Sequence, residues 1–157
     1  RCQENQVHID AFGELGMDPT PMAWSEVFTA LQQGVIDGQE NPIAIIYTNK
    51  VYEAQQYLAI TNHVYSPAVI LFSKTVLEGL PEEYQTVLLE AAKEAADYER
   101  SACEDDEAAQ IAEMEAAGME VTYPDTTEFQ EAMAPVYEKY AKQFGQENID
   151  AIVNYAY

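Results

Sequence analysis

The chain has 157 residues, 48% of them hydrophobic, with 28 acidic against 7 basic side chains and a net charge of −21. That is enough length for a domain with a real core, and the composition is not that of a disordered chain. The charge argues against nucleic acid, which needs a basic face, and against anionic membrane surfaces; no apolar run approaches the ~20 residues of a membrane span, and no signal peptide is recognisable.

Val7, Ala11, Phe12 and Leu15 recur at helical spacing and predict a helix over residues 4–15, with Gly16 as its left-handed cap. Residues 17–20 read as a short extended segment fixed by Pro19 and Pro21. Residues 25–33 form the next predicted helix, with Val27, Ala30 and Leu31 on one face and Gly34 at its end. Val35 and Ile36 are predicted as a brief buried strand, and Asp37-Gly38 as a turn. Pro42 draws Asn41 towards extended backbone, and a further helix starts over residues 43–48. Residues 52–58 are helix-like or mixed. Residues 63–72, HVYSPAVILF, give the clearest strand, and Pro67 places it at an edge, a bulge or a crossing between lobes. A short helix follows over residues 73–80.

Pro81 opens a long helix running to about Ala117, just before Gly118, roughly 55 Å at 1.5 Å per residue. Val87, Leu88, Ala91, Ala95 and Tyr98 supply its apolar stripe, and the acidic run from Glu104 to Glu107 reads as a solvated face. Such length exceeds that of an ordinary globular helix, so the element is expected to brace two bodies or to bend. Residues 120–123 read as a strand. Thr127 with Gln130 has the capping-box pattern, and the helix it opens carries Phe129, Met133, Val136, Tyr137 and Tyr140. Pro135 is expected to kink or break that helix, Gly145 to stop it, and residues 147–155 to form a last short helix. Residues 1–80 carry three bases and nine acids, and residues 81–157 four bases and nineteen acids. The second half therefore reads as solvated helix packed on an α/β layer built by the first.

Few residues stand out for chemistry. Arg1 is one of two arginines in a very acidic chain, and its guanidinium fork suits a carboxylate; the plainer reading is a surface ion pair. Asn41, held extended before Pro42, could point its amide into a cleft or simply serve a turn. Trp24 is either a flat wall for a ligand or core. His63 is a ligand contact, a general base or an internally satisfied histidine. Asp37, Glu40 and His63 could form an acid–base set, yet no nucleophile elbow, HExxH pattern or phosphate loop accompanies them. Cys2 and Cys103 have no metal-clip spacing and are either a disulfide pair or two unpaired thiols. No cofactor or metal is expected.

The run PMAWSEVFTALQQGVIDGQENP, residues 21–42, resembles the central signature of the DctP-type substrate-binding proteins of tripartite ATP-independent periplasmic (TRAP) transporters. The similarity continues through NHVYSP at 62–67, the Ser-Lys pair at 73–74 and the long helix. It implies a periplasmic-binding-protein-like (type II-like) α/β fold whose members are about twice this length, with two lobes around a cleft. This chain, which starts at Arg without Met, is expected to be the C-terminal half. Residues 1–80 would be the second lobe with a small mixed sheet, residues 81–118 the helix spanning both lobes, and residues 119–157 a strand and closing helices.

The resemblance also implies roles. Arg1 falls on the arginine that pairs with the substrate carboxylate, Asn41 on the asparagine contacting the same end, and Trp24 on an aromatic that packs on the ligand. His63 and Tyr65 lie beside the cleft and complete the polar network. The pattern departs at Cys2, where Thr or Val is usual. The implied protein is a periplasmic binder of a small organic acid, closing by a hinge and delivering to membrane permease subunits, and not an enzyme. An isolated half-clamp exposes apolar surface and could form a homodimer. An enzyme or a ligand-sensing or scaffold module of the same fold is the alternative; turnover would favour the first, and a neighbouring sensor-kinase gene the second.

Overall fold

Asn5 begins the first helix by accepting the Val7 N–H on its side-chain oxygen at 2.9 Å, and α1 runs over Gln6–Glu14. The computed structural model describes residues 1–155. Helix α2, Trp24–Gln32, follows the predicted pattern: Val27, Ala30 and Leu31 are its buried face, and Val27 is fully buried.

Gly34 decides what comes next. Its φ of +67° wraps the chain back over the helix end, so that the Val35 N–H reaches the Ala30 carbonyl at 2.9 Å and the Gly34 N–H reaches Leu31 at 3.1 Å. The expected strand at Val35 and Ile36 therefore does not form. These residues are bends; Ile36 tucks into the core while Val35 faces solvent.

Helix α3, Ile43–Thr48, buries Ile46, and a single 3-10 turn, Val51–Glu53, buries Val51. The mixed stretch resolves into that turn and strand β1, Tyr57–Ala59. After the short α4, Lys74–Glu78, comes α5, Glu82–Ala116, with 35 residues and Pro81 at its N-cap. Strand β2, Glu120–Thr122, then lies parallel to β1 with Leu58 opposite Val121. Two parallel neighbours need a long crossover, and α4 with α5 supplies it. Among the described residues the only sheet is this parallel pair, so the expected mixed sheet is corrected.

The core gathers where α2, α3, β1 and the end of α5 meet. Val27, Leu31, Ile36, Ile46, Leu58, Met114 and Met119 form one buried cluster, with Trp24, Tyr47 and Ile111 packed against it. Burying each such side chain stabilises by about 1.5–3 kcal/mol. The apolar stripe predicted along α5 is another matter. Val87 is 60% and Tyr98 75% exposed, and the one buried residue of α5 is Met114, near its far end. Along the first part of the helix the periodic apolar residues are left largely uncovered among the described residues.

Residues 63–72 are the largest correction. They lie outside any helix or strand and are exposed throughout. Propensity alone does not make a strand; a ladder partner does. Among the described residues β1 and β2 pair with each other and none pairs with 63–72.

Helix α6, Thr127–Ala132, starts one residue earlier than predicted, with Thr126 at the N-cap and no side-chain cap bond, so no Thr127–Gln130 capping box forms; Asp125 Oδ1 accepts the Thr127 N–H at 2.9 Å. Those bonds from the Thr127 backbone and hydroxyl hold the Asp125 carboxyl below its usual pKa. Pro135 does break the segment, sitting in the first turn of α7, Ala134–Phe144. Helix α8, Gln146–Val153, closes the described chain. Helix α7 is tied to α1 through Asp10, which accepts from Tyr140 Oη at 2.7 Å, from Gln6 Nε2 at 3.0 Å and from Lys139 Nζ. The bond from Lys139, followed by those from Tyr140 and Gln6, lowers the Asp10 pKa to about 2. Both cysteines are unpaired, Cys2 buried and Cys103 exposed.

Candidate functional site

Arg1 is fastened before its side chain begins. Its backbone nitrogen donates to the Gly38 carbonyl at 2.6 Å, and Cys2 forms a parallel bridge with Pro21, its N–H reaching the Thr20 carbonyl at 3.2 Å. Pro19 and Pro21 make the segment beneath stiff.

The side chain is then oriented twice. Nε donates to the Met22 carbonyl at 3.0 Å, and Cζ lies 5.6 Å from the centroid of the Trp24 ring, within cation–π range. Trp24 is half-buried at the first turn of α2 and packs against the core cluster. Among the described residues no carboxylate forms an ion pair with the Arg1 guanidinium, and its Nη groups have no protein acceptor. The plainer surface ion pair is therefore absent. A half-buried guanidinium with its terminal donors unspent is suited to a carboxylate.

The Gln39–Pro42 loop holds the second group. Asn41 is half-buried and donates through Nδ2 to Gln39 Oε1 at 2.6 Å, which fixes the amide and leaves its carbonyl oxygen unused. Next to it, the Glu40 side chain is only 12% exposed and lies between two imidazoles. His63 Nε2 is 3.4 Å from Glu40 Oε2, and His8 Nδ1 is 3.9 Å from Glu40 Oε1. Thr61 Oγ1 lies 2.6 Å from His63 Nδ1, which fits a threonine O–H donating to that nitrogen and an Nε2–H facing Glu40. Phe12 is T-shaped to both rings, its centroid 6.5 Å from that of His8 and 5.6 Å from that of His63.

The structure thus brings Arg1 to Trp24 and His63 to Glu40. It does not bring Tyr65 to either: Tyr65 is 87% exposed, with no hydrogen bond or ring contact. Asp37 does not join Glu40 and His63; it is exposed, and its contribution is a backbone carbonyl that accepts from Gln55 Nε2 at 3.0 Å. The acid–base set of three is corrected accordingly. Among the described residues no group of three His, Cys, Asp or Glu side chains is placed to hold a metal.

Sequence reasoning missed His8 and Phe12 as neighbours of the site, and used Phe12 only as an apolar face residue. A signal was present. The chain has two histidines, and His8 stands four residues before Phe12 on the helix, one turn away.

The profile of the bacterial extracellular solute-binding proteins, family 7 (DctP), matches residues 1–143. The chain belongs to this family. It is 43% identical over 97% of its length to a solute-binding protein of Verminephrobacter eiseniae, and 33% identical over 97% to the C4-dicarboxylate-binding periplasmic protein DctP of Rhodobacter capsulatus. A TRAP periplasmic solute-binding protein from Polaromonas sp. JS666, solved with bound D-erythronate, superposes with a TM-score of 0.87 at 44% identity over 99% of this chain. The chain spans about half the length of these proteins: 46% and 47% of the two relatives and 52% of the solved chain. The DctP relatives are solute-binding proteins and not enzymes, and the fold is that of the TRAP periplasmic binding proteins.

Proposed function

We propose that this chain supplies one wall of a periplasmic solute-binding protein that captures a small organic acid and delivers it to the membrane subunits of a TRAP transporter. The observation that carries the reading is Arg1. Its Nε is held by Met22 and its plane lies by Trp24, while its terminal donors meet no protein acceptor among the described residues. A carboxylate completes that fork through two parallel bonds, and leaving the charge unpaired on closure costs several kcal/mol, roughly 3–5. Asn41 contacts the same end of the ligand and Trp24 packs on it. His63 borders the cleft, and Tyr65 is expected to reach it only once the exposed 63–72 segment is paired.

In this reading residues 1–80 belong to the second lobe, residues 81–118 to the helix shared by both lobes, and residues 119–157 to the closing elements. The remaining half of the relatives' length provides the facing wall, and ligand bridging the two selects the closed form. Where that half is absent, the uncovered surface favours a homodimer. The long-range field of the acidic surface opposes an anion, but salt screens it over about 8–10 Å.

The test is calorimetric titration of the full-length protein with D-erythronate before and after Arg1→Lys. Lysine keeps the charge and loses the fork, so affinity falls by more than about tenfold. An unchanged affinity overturns the role of Arg1.

A further inference from the structure

Helix α1 has no buried residue, and none of its side chains belongs to or packs on the main core cluster. A helix of nine residues is too short to hold itself, so its neighbours place it. It packs on α7, and two sets of its side chains make contacts on opposite faces. His8 and Phe12, four residues apart, share one face, and Gln6 and Asp10, also four apart, share the other. His8 and Asp10 stand about 200° apart round the helix.

The Asp10 face is tied at every oxygen. Oδ2 accepts from Tyr140 Oη at 2.7 Å and from Lys139 Nζ, and Oδ1 accepts from Gln6 Nε2 at 3.0 Å. The anchor itself is firm, since Tyr140 is buried and its ring is stacked on that of Phe144 with centroids 5.7 Å apart. The opposite face is held by contact alone. Phe12 meets the His63 ring, while His8 Nδ1 and Glu40 Oε1 are buried, face each other at 3.9 Å and have no hydrogen-bond partner. Hydrogen bonds of this kind end near ~3.2 Å, so a movement of α1 by less than about 1 Å decides whether these two atoms pair. Buried polar groups left unpaired are costly, so the position of α1 has an energetic consequence at Glu40. His63 Nε2 lies 3.4 Å from the other Glu40 oxygen, and Asn41 is the next residue in the chain.

We propose that Asp10 is a positioning residue for the ligand-binding wall: fixed to α7, it sets the place of α1, and α1 seats Phe12 and His8 against His63 and Glu40 so that the Gln39–Pro42 loop presents Asn41 in one orientation. The inference rests on the carboxylate-binding reading of this wall and adds the device that holds the wall in place. Asp10 touches no ligand and acts through α1.

The experiment compares wild type, Asp10→Ala, Phe12→Ala and the double variant of the full-length protein. Two readouts are taken: the NMR signals of the His63 ring in the ligand-free protein, assigned by their loss in His63→Gln, and the affinity for D-erythronate by calorimetry. Asp10→Ala should move the His63 signals and weaken binding by about fivefold or more. In the Phe12→Ala background the same change should weaken binding by less than about twofold, because the path from Asp10 is already cut. Unmoved His63 signals overturn the inference. An equal loss in both backgrounds overturns it too, since a general loss of stability is additive. If Asp10→Ala fails to fold, Tyr140→Phe removes one donor and keeps the buried ring. It should move the same signals and weaken binding by about twofold, and no change in either overturns the inference. If the wild-type protein does not bind D-erythronate, the carboxylate reading falls, and the His63 signals still decide whether Asp10 positions this cluster.

Discussion

The two ends of α5 have the same composition style and opposite fates. Towards the C-terminal end, Met114 is fully buried, Ile111 packs against the core, and Tyr47 of α3 donates its hydroxyl to Glu113. Towards the N-terminal end, Val87, Leu89 and Tyr98 are more than half exposed, and the ties are exposed pairs such as Lys93–Asp97 and Arg100–Asp97. Exposed pairs of this kind contribute little. One end is held by what it packs on, and the other is left largely uncovered among the described residues. A hydrophobic period therefore tells which face of a helix is meant to be covered, and not whether the cover is in the same stretch of chain.

The sharpest way to probe that contrast is Met114→Ala. It removes a fully buried side chain from the main cluster and should destabilise the chain by about 2–5 kcal/mol, measured by urea unfolding. A loss below about 1 kcal/mol would mean that this end is no better packed than the other. Asp10→Asn gives a smaller effect confined to acid. The Asp10 carboxyl, with its pKa depressed to about 2 by Lys139, Tyr140 and Gln6, contributes stability that is fully present above its unfolded value near 3.8 and is lost as pH falls through about 2. Melting temperatures of wild type should drop between pH 4 and 2 more steeply than those of Asp10→Asn, with the two running parallel from pH 5 to 8. Val87→Ala should change almost nothing in the 157-residue chain, within about 0.5 kcal/mol, because its side chain is 60% exposed. A markedly larger loss in the full-length protein would show that the remaining half covers this end.

Much of the architecture was legible because local rules and tertiary needs agree. Helices α1, α2 and α5 are where periodicity and a following glycine both point, and Gly34 and Gly118 close their helices with left-handed turns. The strand expected at Val35 and Ile36 failed for that same reason: the turn that Gly34 makes consumes the next two residues. Residues 63–72 failed differently, since their propensity is real but no strand among the described residues meets them. At the site, Arg1, Trp24 and Asn41 were visible through family resemblance, and the first two do come together. Glu40 was noticed for acid–base chemistry with Asp37, which instead faces solvent. The place of His8 depends on α1 crossing the loop after Gly38, a tertiary fact that spacing cannot supply.

The exposed 63–72 stretch has a colloidal consequence. From Ala54 to Ser73 the sequence has no Asp, Glu, Lys or Arg, although the chain as a whole carries −21. Solubility of the uncovered chain is thus borrowed from distant carboxylates, whose mutual repulsion reaches only about 8 Å at physiological ionic strength. A bare, uncharged, β-prone segment inside that range can pair with a second copy of itself. Added salt or mild acid removes the repulsion before it touches the core, so the chain should lose its dispersion well before it loses its fold.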